Sequence, residues 1–137
     1  MKVCVIGGGN IGTAIAAVMS HRGHSVTMKT NRPERWEQEI LYTDMESGES
    51  FASRLEEVTA APDAVERADV VLITVPSFSL GQTLEEIRPY LRRSTAVGVL
   101  PGTGGAEFYA RELILDGHTV FGVDRVPCIA RVTEYGK

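Results

Sequence analysis

The sequence predicts an α/β domain, a doubly wound parallel sheet with helices on both faces. Three observations predict it. Short apolar, β-branched runs alternate with helical periodicities along the 137 residues. The connections between them are short, and no repeat or low-complexity linker intervenes. Residues 69–75 (Asp-Val-Val-Leu-Ile-Thr-Val) are almost continuously apolar, as in a strand covered on both faces.

Residues 2–6 form the first strand. Gly7, Gly8 and Gly9 follow it and lead into a helix. The apolar stripe of that helix is Ile11, Ala14, Ile15, Val18 and Met19, which share one helical face. Gly23 ends the helix. Residues 25–29 read as the second strand, and Pro33 opens a short helix through Trp36. Residues 40–44 and 50–55 flank a turn at Glu46-Ser47-Gly48, which suggests a β-hairpin insertion in 40–55. Residues 57–59 form a short third strand, and 62–67 a short helix. After strand 69–75, Ser79 to Gln82 has capping-box spacing. The helix opened there buries Leu80, Leu84, Ile87 and Leu91. Residues 95–100 are the next strand, followed by the glycine-rich turn Pro101-Gly102-Thr103-Gly104-Gly105. Residues 106–115 form a helix that turns Ala106, Ala110, Leu113 and Ile114 inward. Residues 119–123 are the last strand. The expected organisation is a nucleotide-binding Rossmann domain over 1–125. Residues 126–137 are read as the start of a connection to a second, helical domain absent from this chain.

Composition narrows the partners. The net charge is −4 with acids and bases interspersed, which argues against nucleic acid and against a membrane surface. No apolar run approaches the roughly 20 residues of a membrane span. The N-terminal run is broken by glycines too early for a signal peptide. Cys4 and Cys128 sit in apolar segments too far apart for a metal pattern, and read as buried thiols of a reducing cytoplasm. No metal is expected.

The chemistry points to the first turn. Gly7, Gly9 and Gly12 complete a G-x-G-x-x-G pattern between a strand and an amphipathic helix, the context a dinucleotide fingerprint requires. Gly7 permits the tight turn. Gly9 lets a pyrophosphate approach the backbone, and Gly12 lets helix and strand pack closely. Gly8, Asn10 and Ile11 complete the loop, where unpaired N–H groups and the positive helix end face the anion. A glycine-rich turn with no ligand is the bland alternative. The second strand ends on Thr30-Asn31-Arg32, with Thr30 eighteen residues beyond Gly12. An NAD site places an acid near there for the ribose 2′-OH. Here no acid comes before Glu34, and Thr30, Asn31 and Arg32 suit a 2′-phosphate. The expected cofactor is NADP(H), with NAD as the alternative. Ligands on such sheets lie at the carboxyl ends of the strands. Val75, Pro76 and Ser77, with Gly102 and Thr103, leave two of those ends and are candidates for lining the nicotinamide end. Ser77 and Thr103 read equally well as turn and cap residues.

The sequence resembles the coenzyme domain of the octopine/nopaline (opine) dehydrogenase family. The resemblance rests on the loop Gly7–Gly12, Ala68-Asp69 through Val75-Pro76-Ser77, Pro101–Gly105, and Val126-Pro127-Cys128-Ile129-Ala130-Arg131. The wider group includes glycerol-3-phosphate dehydrogenase and ketopantoate reductase, which share the first two motifs. The resemblance implies hydride transfer coupled to reductive condensation of an amino acid with a 2-oxo acid. It also implies a small-molecule substrate and a second domain bearing a catalytic histidine–aspartate pair. Many relatives carry an acid where Thr30 stands and use NAD.

Hydride transfer to an imine or ketone needs a proton donor near the nicotinamide. His21, His24 and His118 all fall at the amino edge of the sheet. That is roughly 15 Å from the cofactor crevice, for five residues at about 3.3 Å each. No catalytic residue is therefore assigned, and the chain alone is expected to bind cofactor without turnover. Arg131 is placed to meet a substrate carboxylate or to form a surface ion pair. Exposure of Val126, Ile129 and Val132 would favour a homodimer. The competing readings are a nucleotide-sensing regulatory module, and the cofactor domain of a 2-hydroxyacid or glycerol-3-phosphate-type reductase.

Overall fold

A computed structural model describes residues 1–102 and 104–135. Six parallel strands form one sheet in the order β5-β2-β1-β6-β7-β8. They are β1 (Lys2–Ile6), β2 (Ser25–Lys29), β5 (Glu57–Thr59), β6 (Val70–Ile73), β7 (Ala96–Val99) and β8 (Val120–Gly122). β3 (Glu39–Thr43) and β4 (Ser50–Arg54) pair antiparallel as a separate hairpin, as the sequence suggested. The order reverses between β1 and β6, which makes their carboxyl ends the switch point where such sheets bind ligands.

Alternate residues of β1 and β6 feed two cores. Cys4 and Ile6 of β1 face one layer with Val71 and Ile73 of β6. There they meet α2 (Ser77–Ile87) and the pair α3 (Ala106–Tyr109) and α4 (Arg111–Leu115) through Leu80, Leu84, Ile87, Ala110 and Leu113. Val3 and Val5 face the other layer, where α1 (Asn10–His21) contributes Ile15, Ala16 and Ala17. The apolar stripe expected on α1 is narrower than the surface it buries, since Gly12 through Ala17 are all buried. The hairpin covers the opposite side of the helix. Ser53 Oγ donates to the Ala17 carbonyl at 2.7 Å, Ser20 Oγ donates to the Arg54 carbonyl at 2.7 Å, and Phe51 stacks on His21 at 3.9 Å.

Several boundaries differ from the sequence reading. α2 starts at Ser77, not at a Ser79 cap; Pro76 precedes it in extended backbone, and no side chain caps it. Leu91 lies beyond α2, past a 3₁₀ turn at Arg88–Tyr90. The single helix expected over 106–115 is broken at Ala110. Ile114, expected inward, is 48% exposed. Neither glycine nor proline marks that break. The break lets Ala110 and Leu113 both reach the core while Tyr109 lies against Gly81 of α2.

Cys4 is 1% exposed, and burial pushes its thiol up to about 12. The folded state therefore holds its proton more tightly than the unfolded chain. The stability this contributes is complete below the ordinary thiol range and is lost as pH rises from about 9 toward 12. Urea midpoints are expected to fall over that interval, and Cys4→Val should flatten the fall. An equally steep loss in Cys4→Val would assign it to other groups.

Candidate functional site

The glycine loop sits at the switch point. Gly7 follows β1 with φ +121°, which L side chains rarely adopt. Its N–H donates to the Lys29 carbonyl at 2.9 Å, tying the loop to the end of β2. Gly12 begins the buried side of α1, and a Cβ there would collide with the Gly7 carbonyl oxygen and lie 2.5 Å from Thr74 Oγ1. Thr74, which the sequence reading did not single out, is what closes this corner. Its hydroxyl donates to the Ile6 carbonyl at 3.0 Å, and the same oxygen lies 2.5 Å from a Cβ position on Gly7. Nothing local in the sequence marks it, because its partners are 68 residues away.

Gly9 is the opposite case. A Cβ there would meet nothing within 4 Å, so this stretch of backbone faces open space. Gly9 is the N-cap of α1 and offers no side-chain acceptor, and the first turn carries no acid. The N–H groups of Asn10, Ile11 and Gly12 therefore lack helical partners and point out at the positive end of the helix. The Asn10 side chain is engaged elsewhere, since its Oδ1 accepts the Val132 N–H at 2.9 Å. A closed corner at Gly7 and Gly12 with an open face at Gly9 fits a dinucleotide pyrophosphate.

Thr30, Asn31 and Arg32 follow β2 beside this loop. Thr30 is buried, and its Oγ1 lies 2.7 Å from a Cβ position on Gly8 while accepting the Arg32 N–H at 3.4 Å. Asn31 and Arg32 are exposed. The 3₁₀ turn Pro33–Arg35 adds Arg35, whose guanidinium lies 5.3 Å from the Tyr135 ring. Trp36 closes the group, with its Nε1 3.0 Å from the Cβ position on Gly8.

At the other end Val75 is half-buried against the first core, while Pro76 and Ser77 are exposed at the start of α2. Ser77 Oγ makes no hydrogen bond among the described residues. Gly102 is held by packing: a Cβ there would lie 2.6 Å from Cα of Gly122 at the end of β8. Thr103, a candidate from the sequence, lies outside the described residues.

The histidines stand away from this edge. His21 stacks on Phe51, His24 Nδ1 is 3.4 Å from the N-terminal amine, and His118 precedes β8. A concavity at the amino edge, between Cys4, Thr27 and the turn at Pro62–Val65, is lined by Glu56, Glu57, Asp63 and Glu66. That excess of acid is wrong for a pyrophosphate. Of the three apolar tail residues, only Ile129 is fully exposed, at 99%. Val132 instead packs against the second core.

Residues 3–127 match the family described as ketopantoate reductase PanE/ApbA. This chain belongs to that family. Opine dehydrogenases are similar to the chain over its full length. The opine dehydrogenase of Haliotis discus hannai is 32% identical over the whole chain, and the octopine dehydrogenase of Pecten maximus 27%. A structure of octopine dehydrogenase with NADH and L-arginine superposes with a TM-score of 0.87 at 28% identity, again over the whole chain. The chain spans 38% of the length of each of these three proteins. Glycerol-3-phosphate dehydrogenases also match, at 34% identity over 64% of the chain for that of Chlorobium limicola. The chain thus has a Rossmann-type fold and is similar throughout to the part of the opine dehydrogenases that it covers. No helix among the described residues is long and apolar enough to cross a membrane.

Proposed function

We propose that this domain binds NADP(H) for an oxidoreductase that condenses an amino acid reductively with a 2-oxo acid. The observation that carries the reading is the loop at the switch point, shut at Gly12 and open at Gly9, with unpartnered N–H groups beside it. The bound nicotinamide would supply the hydride. The chain's own residues hold the cofactor. Gly9 leaves room for the pyrophosphate, and the N–H groups of Asn10, Ile11 and Gly12 neutralise it. Pro76 and Ser77 flank the nicotinamide end. The proton donor belongs, in this reading, to the remainder of an enzyme of the relatives' length, since no histidine stands at the carboxyl edge. The compartment consistent with free cysteines is the cytoplasm.

The preference for the 2′-phosphate rests on the absence of any acid from Thr30 to Pro33, and on exposed Arg32 and Arg35 beside the loop. Parallel titrations with NADPH and NADH are expected to favour NADPH. The double change Thr30→Asp with Arg32→Ala should reverse that order. An NADPH affinity unmoved by the double change would remove the assignment.

A further inference from the structure

Residues 123–135 run from the end of β8 back to the start of α1 and the turn after β2. The span is four inter-strand steps, roughly 19 Å at about 4.8 Å each. Thirteen residues cover it easily, yet the far part of the segment is held down at three places. The Val132 N–H donates to Asn10 Oδ1 at 2.9 Å across 122 residues of sequence. The Val132 side chain packs with the second core. The Tyr135 ring stands edge-on to Trp36 at 5.3 Å, with the Arg35 guanidinium against it. Both anchoring residues border the glycine loop. Asn10 is the first residue of α1, and Trp36 abuts Gly8.

Asn10 is not explained by its own helix. Asparagine is a mediocre helix former in the first turn, and its amide caps nothing in α1. What the amide does is receive the distant backbone. We propose that residues 132–135 are a strap forming one wall of the dinucleotide groove, and that Asn10 is the positioning residue that seats it. The backbone N–H of Asn10 faces the phosphates while its side chain fixes the strap. Order in the strap and occupancy of the loop are then coupled through one residue. This rests on the dinucleotide reading above.

Trp36 is the only tryptophan in the chain and is 7% exposed, so its emission reports on both strap and ligand. The probes are NADPH and NADH, each titrated into the chain while Trp36 emission is followed, with acrylamide quenching of the ligand-free protein as the second readout. Asn10→Ala removes the acceptor, and Val132→Pro removes the donor N–H. Each should weaken dinucleotide binding about fivefold, the scale of one lost hydrogen bond. The double variant should be no worse than either alone, because both break the same contact. Acrylamide quenching of Trp36 should rise in Asn10→Ala and in Tyr135→Ala, with circular dichroism unchanged. If Val132→Pro loses its fold, Asn10→Ala and Tyr135→Ala decide the matter. Variants that bind the dinucleotide as the parent does, or more tightly, would overturn the strap. So would penalties that add in the double variant, which would mean that the Asn10 amide acts on the cofactor directly. A parent chain that responds to neither NADPH nor NADH overturns the dinucleotide reading itself, and the strap's role with it.

Discussion

Gly12→Ala is expected to destabilise the domain and abolish dinucleotide binding together. The added Cβ would press into the Gly7 carbonyl oxygen and lie 2.5 Å from Thr74 Oγ1. Neither neighbour yields easily. The first is backbone in a turn fixed by the Gly7–Lys29 hydrogen bond, and the second is held by its bond to the Ile6 carbonyl. Overpacking at such a site costs roughly 1–3 kcal/mol. For a chain of this length the upper figure lowers Tm by about 10 °C. The start of α1 must lift from the sheet to relieve the clash, which scatters the N–H groups of Asn10, Ile11 and Gly12. Thermal melts and an NADH titration on the same preparation check both halves. A variant that melts like the parent and binds like it would show that the helix is not packed this tightly.

The second expected effect is a separation of stability from binding. Gly9→Asp places a carboxylate at the N-cap of α1, where φ −93° and ψ −173° are the extended backbone that a capping side chain uses. A Cβ at Gly9 meets nothing within 4 Å, so the fold tolerates the change. An N-cap aspartate should even stabilise the helix by a few tenths of a kcal/mol relative to glycine. The same carboxylate occupies the N–H groups that the proposed function assigns to the pyrophosphate, and would repel its charge. Losing two such charge-assisted hydrogen bonds, at about 1.5 kcal/mol each, corresponds to roughly a hundredfold in affinity. The expected result is an unchanged or higher Tm with NADH binding lost. Retained binding would move the phosphates away from this helix end.

These two glycines differ by three positions, and only the folded structure distinguishes them. The pattern G-x-G-x-x-G was legible in the sequence, together with its strand before and helix after. Thr74 as the group that makes Gly12 obligatory was not, because it arrives from β6 across 62 residues of chain. Thr30 was read from its position after β2 as a donor to a phosphate. Its burial beneath Gly8 depends on how the loop lies over the strand end. The strands were legible in order and type, since β-branched runs bounded by turn residues carry their own signal. The break at Ala110 and the early start of α2 carried no such signal, being decided by what each helix packs against.

The sequence by itself determined the parallel sheet, the hairpin insertion and the place of the glycine loop. Each of those follows from local periodicity or from glycines at fixed spacing. Tertiary structure alone decided that α1 is buried on two sides, that Gly12 is closed and Gly9 open, and that residues 132–135 return to Asn10 and Trp36. These depend on contacts between segments remote in sequence, and no local pattern of residue types records which distant backbone a side chain will meet.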